Sequence, residues 1–330
     1  MMLWPRNSRF TASRWLDKEP HMKKTLLASL IAVLISSAAF ADQPMTPGAF
    51  VNIGMARAES MGGAFTAVAD DASAIFYNPA GIVNDPYKEF TFMYAKDRDI
   101  VPFNYSALVY PINQYRAAGL GVIVSGDSLF DEKTIYFSYA EKFDWLLDRF
   151  GIKGLCIGTN FKLQFAGYGN TTDPAPNSVQ GSAAGVGFDF GALYPISPEI
   201  QVGAFVQDAL SSLWWNSNWN GTTNTYMQGV GLTSDLGARY KIKDFIASMT
   251  VSDLDTIKFG IEKNIFDYID IRGGYTQTLD YESYKEYMVG LGIGHFVFGQ
   301  RKEFSMNLDF AYLFQRLDNT LEISWSLKFK

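Results

Sequence analysis

Three side-chain types could begin a reaction in this chain: the histidines His21 and His295, the lone thiol of Cys156, and the many serines. Two histidines and one cysteine cannot supply a multi-cysteine or histidine-based metal centre or a disulfide framework, so the expected cofactor set is empty. A lipid hydrolase would need a serine within hydrogen-bond reach of an oriented histidine. His295 continues the row Tyr287, Val289, Leu291, Ile293, whereas its nearest cross-strand serine, Ser305, falls on the opposite row. The two are separated by a sheet, and the chain reads as a non-enzyme.

The remaining candidates are charges at positions where a strand would point inward: Lys162, Asp189, Arg239, Glu262, Arg272 and Asp309. Their simplest role is a network tying a wall to water or to a plug. A second cluster is apolar. "LWWNSNWNG" gathers Trp214, Trp215 and Trp219 in what reads as a long external loop, where tryptophans serve lipid contact, a partner or ligand capture.

The elements that must position these groups are strands. In "LCIGTNFKLQF", Leu155, Ile157, Phe161, Leu163 and Phe165 share one face, while Cys156, Gly158, Asn160, Lys162 and Gln164 share the other. The segment 319–329 repeats this design, as does 302–314. Strands are expected near 88–96, 104–111, 116–125, 132–142, 153–166, 183–194, 199–208, 234–241, 245–252, 255–264, 267–278, 284–296, 302–314 and 319–329. That even count suits a barrel with both termini on one side. The longest connections, 167–182 and 209–233, are the fifth and seventh; "PISP" and "IKD", the sixth and eighth, are brief. A soluble sandwich would need a second sheet over each apolar face, and no covering element is evident. The fold class is therefore all-β, a transmembrane antiparallel β-barrel of about fourteen strands. Glycines on the inward rows, among them Gly185, Gly187, Gly191, Gly203, Gly290, Gly292 and Gly294, leave room in the lumen.

The 330-residue chain carries a net charge of −6 without charge runs, which argues against nucleic acid as a partner. Residues 1–21 read as a misassigned start or an unstructured extension. Residues 22–41 read as a signal peptide: Met22-Lys23-Lys24, a short apolar core, then Ala39-Phe40-Ala41. Residues 42–86 are expected to form a plug and 87–330 the barrel.

Within that plug, "GMARAESMGGAFTAVADDASAIFYNPAGI" (Gly54–Ile82) is rich in small residues, so short helices there can pack closely. Asp70, Asp71 and Ser73 are candidate helix N-caps, and Asn78 before Pro79 forces an exit. With "MGGA" at Met61–Ala64, "ADDASA" at Ala69–Ala74 and "NPAG" at Asn78–Gly81, the run resembles the N-terminal signature of FadL-like outer-membrane transport proteins, and most of all their PorV/PorQ branch. The resemblance covers about thirty residues. It implies a fourteen-stranded barrel whose N-terminal hatch places Asn78, Pro79, Ala80 and Gly81 at a gate in the lumen. It further implies the outer membrane of a bacterial cell, contact with its lipid, and passive uptake of a hydrophobic small molecule. The PorV-like alternative is an adaptor of a type IX-like secretion system that binds client proteins.

Overall fold

A computed structural model of the chain describes residues 50, 54–144, 152–169, 179–219, 222–279, 284–298 and 304–329. The predicted signal peptide and the extension before it lie outside the described residues, as does most of the 143–151 connection.

Alternation becomes sheet throughout. The strands are β1 (Lys88–Asp97), β2 (Val101–Asn113), β3 (Arg116–Gly126), β4 (Phe130–Lys142), β5 (Cys156–Tyr168), β6 (Val179–Pro195), β7 (Ile200–Gln207) and β8 (Ser212–Trp219). They continue as β9 (Thr222–Gly229), β10 (Thr233–Ile242), β11 (Phe245–Ser252), β12 (Thr256–Ile265), β13 (Ile269–Thr278), β14 (Lys285–Phe298), β15 (Phe304–Phe314) and β16 (Thr320–Phe329). Every neighbouring pair is antiparallel, and β1 closes on β16 with Tyr94 opposite Ile323. Fourteen strands form the closed wall: β1 to β7 and β10 to β16. Each of the fourteen sequence-predicted strands matches one of them.

The faces follow the predicted parity. On β5, Cys156, Gly158, Asn160, Lys162 and Gln164 are buried inside, whereas Ile157 and Phe165 are exposed outside. On β16, Thr320, Glu322, Ser324 and Ser326 point inward, and Leu321, Ile323 and Trp325 outward. The exterior is greasy, while the interior combines these buried polar groups with an apolar patch, including Phe103, Tyr105, Val109 and Tyr136, that packs on the segment before β1.

The expected external loop 209–233 is a correction. It forms the hairpin β8–β9, with Trp214 opposite Met227 and Trp215 opposite Tyr226. The long strand β6 serves two partners: Phe190–Pro195 pair with β7 and Val179–Val186 with β8. Between them Asp208 turns through a left-handed φ of +54°, and the Ala209 amide donates to the Phe188 carbonyl at 2.9 Å. The hairpin thus continues two wall strands past a bulge and rises above the rim. Alternation then splits the tryptophans. Trp214 is 53% exposed and Trp215 is buried facing inward.

The segment before β1 packs inside the barrel against the inward wall. It contains helix α1 (Ala56–Glu59), helix α2 (Ala74–Tyr77) and a 3₁₀ helix over Pro79–Asn84. Turns join them, and Met61, Phe65, Val68, Ile75 and Ile82 are wholly buried. Ser73 precedes α2, but its side chain makes no capping bond. The Asp71 carboxylate instead accepts from the Ser73 amide at 2.9 Å. Asn78 ends α2 as expected and caps the 3₁₀ helix, its Oδ1 accepting from the Ala80 amide at 3.2 Å.

Candidate functional site

The internal segment rests on glycines that face one another across neighbouring strands. Gly158 lies opposite Gly191, Gly203 opposite Gly237, and Gly260 opposite Gly274. The first pair receives Asn78–Ala80, the second Thr66 and Ala67, the third Met61 and Gly62. A Cβ at Gly158, Gly203, Gly260 or Gly274 would overlap the segment's backbone and one at Gly191 the Asn78 side chain, whereas at Gly237 it would meet Thr66 and Ala67 at 3.0–3.2 Å. The expected room inside is therefore taken up by the chain itself at Gly191, Gly203 and Gly290. At Gly187 and Gly292 the neighbours are wall side chains, Lys162 with Asp208 and Arg272 with Asp309.

Asn78 is the most fully engaged residue of the proposed gate. Its Nδ2 lies 2.9 Å from the Thr66 carbonyl, 3.1 Å from that of Ala192 and 3.3 Å from that of Ala204. One amide therefore closes the segment on itself and hangs it from β6 and β7. Pro79, Ala80 and Gly81 follow, all buried.

Five of the six predicted lumen charges are buried and form two separate networks. In the first, Lys162 Nζ meets Asp189 Oδ1 at 2.7 Å and Asp208 Oδ1 at 2.5 Å. Asn160 Nδ2 joins this group to the segment, donating to Asp189 Oδ2 and to the Ile75 carbonyl, each at 2.9 Å. In the second, Arg272 reaches Glu262 at 2.7 Å, Asp309 at 2.6 Å and Asp270 at 3.1 Å. Arg57 completes it from the segment, bound to Glu262 at 2.9 Å, Asp70 at 2.7 Å and Asp71 at 2.6 Å. Burial opposes the Arg57 charge, but Asp70, Glu262 and Asp71 together hold its guanidinium well above the ordinary range. The sixth charge, Arg239, is half-buried and reaches Gln201 at 3.5 Å.

Arg57, Asn160 and Asp208 were not among the sequence candidates. Arg57 is the one cation in a run of small residues, which is a usable signal; Asp208 sits at a bulge that alternation does not reveal.

Arg57 also lines a cavity of about 840 Å³ at the end of the barrel with short turns. Asp70, Glu89, Asp270, Lys241 and Lys328 share that lining, so the cavity is charged and suits water rather than an apolar molecule. Ser305 opens into it. The side chains of Trp219 and His295 lie outside the described residues.

A family described as uncharacterised, UPF0164, matches residues 49–197. A comparison with curated proteins yields no match. Among solved structures, a FadL homologue from Pseudomonas aeruginosa is similar, with a TM-score of 0.59 and 13% identity over 84% of this chain and 98% of that one. A monoaromatic hydrocarbon channel, CymD, has a TM-score of 0.56 and 13% identity, covering 85% and 98%. The Pseudomonas putida toluene transporter TodX has a TM-score of 0.53 and 11% identity, covering 86% and 99%. In fold, the chain is similar to these FadL-like barrels along nearly their whole length.

Proposed function

We propose that this protein is a bacterial outer-membrane barrel for the passive uptake of hydrophobic small molecules, with Gly54–Asn84 as its hatch. The observation that carries this reading is the pairing of a greasy, closed wall with a stopper held by reversible contacts alone. Leu321, Ile323 and Trp325 would face lipid hydrocarbon. Tyr110, Tyr240, Tyr268 and Phe296, exposed near the short-turn end, suit an interfacial girdle. The neighbouring structures described as a hydrocarbon channel and a toluene transporter support the solute class.

An apolar solute gains nothing from a water-filled pore, because it would have to leave one apolar phase for water. A stoppered barrel offers it apolar surface instead. Capture would occur at the long-connection end, beside Trp214 and the hairpin. Passage would follow a shift of Asn78–Gly81 away from Gly158 and Gly191. The charged cavity beyond Arg57 means that the seated hatch opposes apolar transit, so the ion pairs of Arg57 must rearrange for release.

The test is accumulation of toluene by proteoliposomes carrying the purified protein, with lipid and protein partners identified in the same preparation. Faster entry than into protein-free vesicles supports uptake. No acceleration, with a stoichiometric secreted protein co-purifying, would overturn it in favour of the adaptor role of the PorV/PorQ branch.

A further inference from the structure

Among the buried polar atoms of the described residues that have no partner are two on neighbouring positions of the inner wall, the indole Nε1 of Trp215 and the amide Oε1 of Gln164. Their residues are 7% and 1% exposed. They occupy successive inward rungs across β5, β6 and β8. Gln164 lies opposite Gly185, which lies opposite Leu213; one rung higher, Ala166 lies opposite Ala183, which lies opposite Trp215. Glu132 and Thr134 of β4 share these two rungs, opposite Ala166 and Gln164, and the Gln164 Nε2 lies 3.5 Å from Asp208 Oδ1, while the neighbours of Trp215 on the other side are aromatic. Tyr168 packs on Trp215 with ring centroids 5.5 Å apart, and Tyr226 stacks at 6.3 Å.

Phe50, at the leading end of the internal segment, packs against this same cluster. A phenyl ring therefore already sits where a small aromatic solute would fit, yet it has no group for either unpaired atom. An unmet donor and an unmet acceptor on adjacent inward rungs have a common chemical complement. A hydroxyl oxygen accepts from an N–H while its proton is donated to a carbonyl oxygen.

Resting on the uptake reading, we propose that the solute is an aromatic molecule bearing a hydroxyl group, held by Trp215 and Gln164 in the place of Phe50. A plain hydrocarbon fills the same volume but leaves both atoms unpaired, and buried unpaired groups discriminate strongly.

The experiment compares 2-phenylethanol with ethylbenzene, binding each to the protein in lipid nanodiscs and subtracting protein-free discs. The wild-type affinity ratio should favour the alcohol by about tenfold. That ratio should fall by about tenfold in Trp215→Phe and again in Gln164→Leu, each still migrating as a heat-modifiable barrel. A ratio untouched by either change, or by one of them, overturns the two-point contact while leaving hydrocarbon uptake standing. Failure of the folded wild type to bind either probe overturns the uptake reading and this inference with it.

Discussion

Arg57 and Glu262 lie 205 residues apart in the chain and are joined by two parallel hydrogen bonds, Nε to Oε2 and Nη2 to Oε1, each of 2.9 Å. The forked geometry fixes both position and angle of the guanidinium. Its remaining nitrogen binds Asp70 and Asp71, so one side chain folds the internal segment on itself and pins it to β12.

Replacing Arg57 by Gln should therefore loosen the proposed hatch without opening the wall. Glu262 keeps Arg272, but Asp70 and Asp71 are left in a partly dry site. The loss should be about 2–3 kcal/mol, discounted from the roughly 3–5 of a fully buried pair because 19% of the Arg57 side chain remains exposed. Thermal unfolding should show it, and planar-bilayer recordings should show a higher resting leak. Arg116→Gln, which breaks the exposed pair with Glu141, should leave both unchanged.

Gly191→Ala should unseat the proposed gate. The new Cβ would overlap Asn78 Oδ1 and lie 3.0 Å from Pro79 Cδ. Overpacking of this kind costs about 1–3 kcal/mol. Protease cleavage within the segment should accelerate in the intact barrel. Gly229→Ala provides the comparison, because nothing stands within 4 Å of its Cβ position, and cleavage there should match wild type.

Asn78→Asp should be worse than Asn78→Ala. Alanine removes the amide donor, whereas aspartate sets a carboxylate against the Thr66, Ala192 and Ala204 carbonyls that the amide satisfied. Alanine should lower stability by about 1–3 kcal/mol and aspartate by more, at neutral pH. The ordering of the two melting temperatures is the readout, and equal values would remove Asn78 from the gate.

Glu59 gives the seating a pH dependence. Burial raises its carboxyl above the ordinary range, and the Tyr77 hydroxyl, donating at 2.8 Å, offsets this only in part. A carboxyl raised on folding contributes stability that is complete below the ordinary carboxylate range and is lost as pH rises through the raised value. Glu59→Gln retains an acceptor for Tyr77 and stays neutral. Its melting temperature should exceed that of wild type by a margin that grows with pH, and a margin independent of pH would contradict the assignment.

The wall was readable because β5, β15 and β16 alternate cleanly, so parity alone sorted Lys162 and Asp309 inward and Phe165 and Trp325 outward. The hairpin was not. Leu213, Trp214 and Trp215 are consecutive apolar residues, which hides a two-residue period, and the asparagines after them read as loop. Asp71 does accept from the Ser73 amide ahead of α2, but local rules cannot see that Arg57, arriving from another turn, binds both Asp70 and Asp71. The inward glycines were legible as space, but register was needed to show that Gly158 and Gly191 face each other and that Asn78–Ala80 fills the gap.

A reversible tether between hatch and wall tests the central claim most directly. The Cβ position at Gly237 lies 3.2 Å from Ala67 Cβ, close enough for Ala67→Cys and Gly237→Cys to be joined in a Cys156→Ser background. Toluene entry into proteoliposomes should fall to the rate of protein-free vesicles when the pair is oxidised and rise above it again when it is reduced. Equal entry in the two states would contradict a hatch that must move.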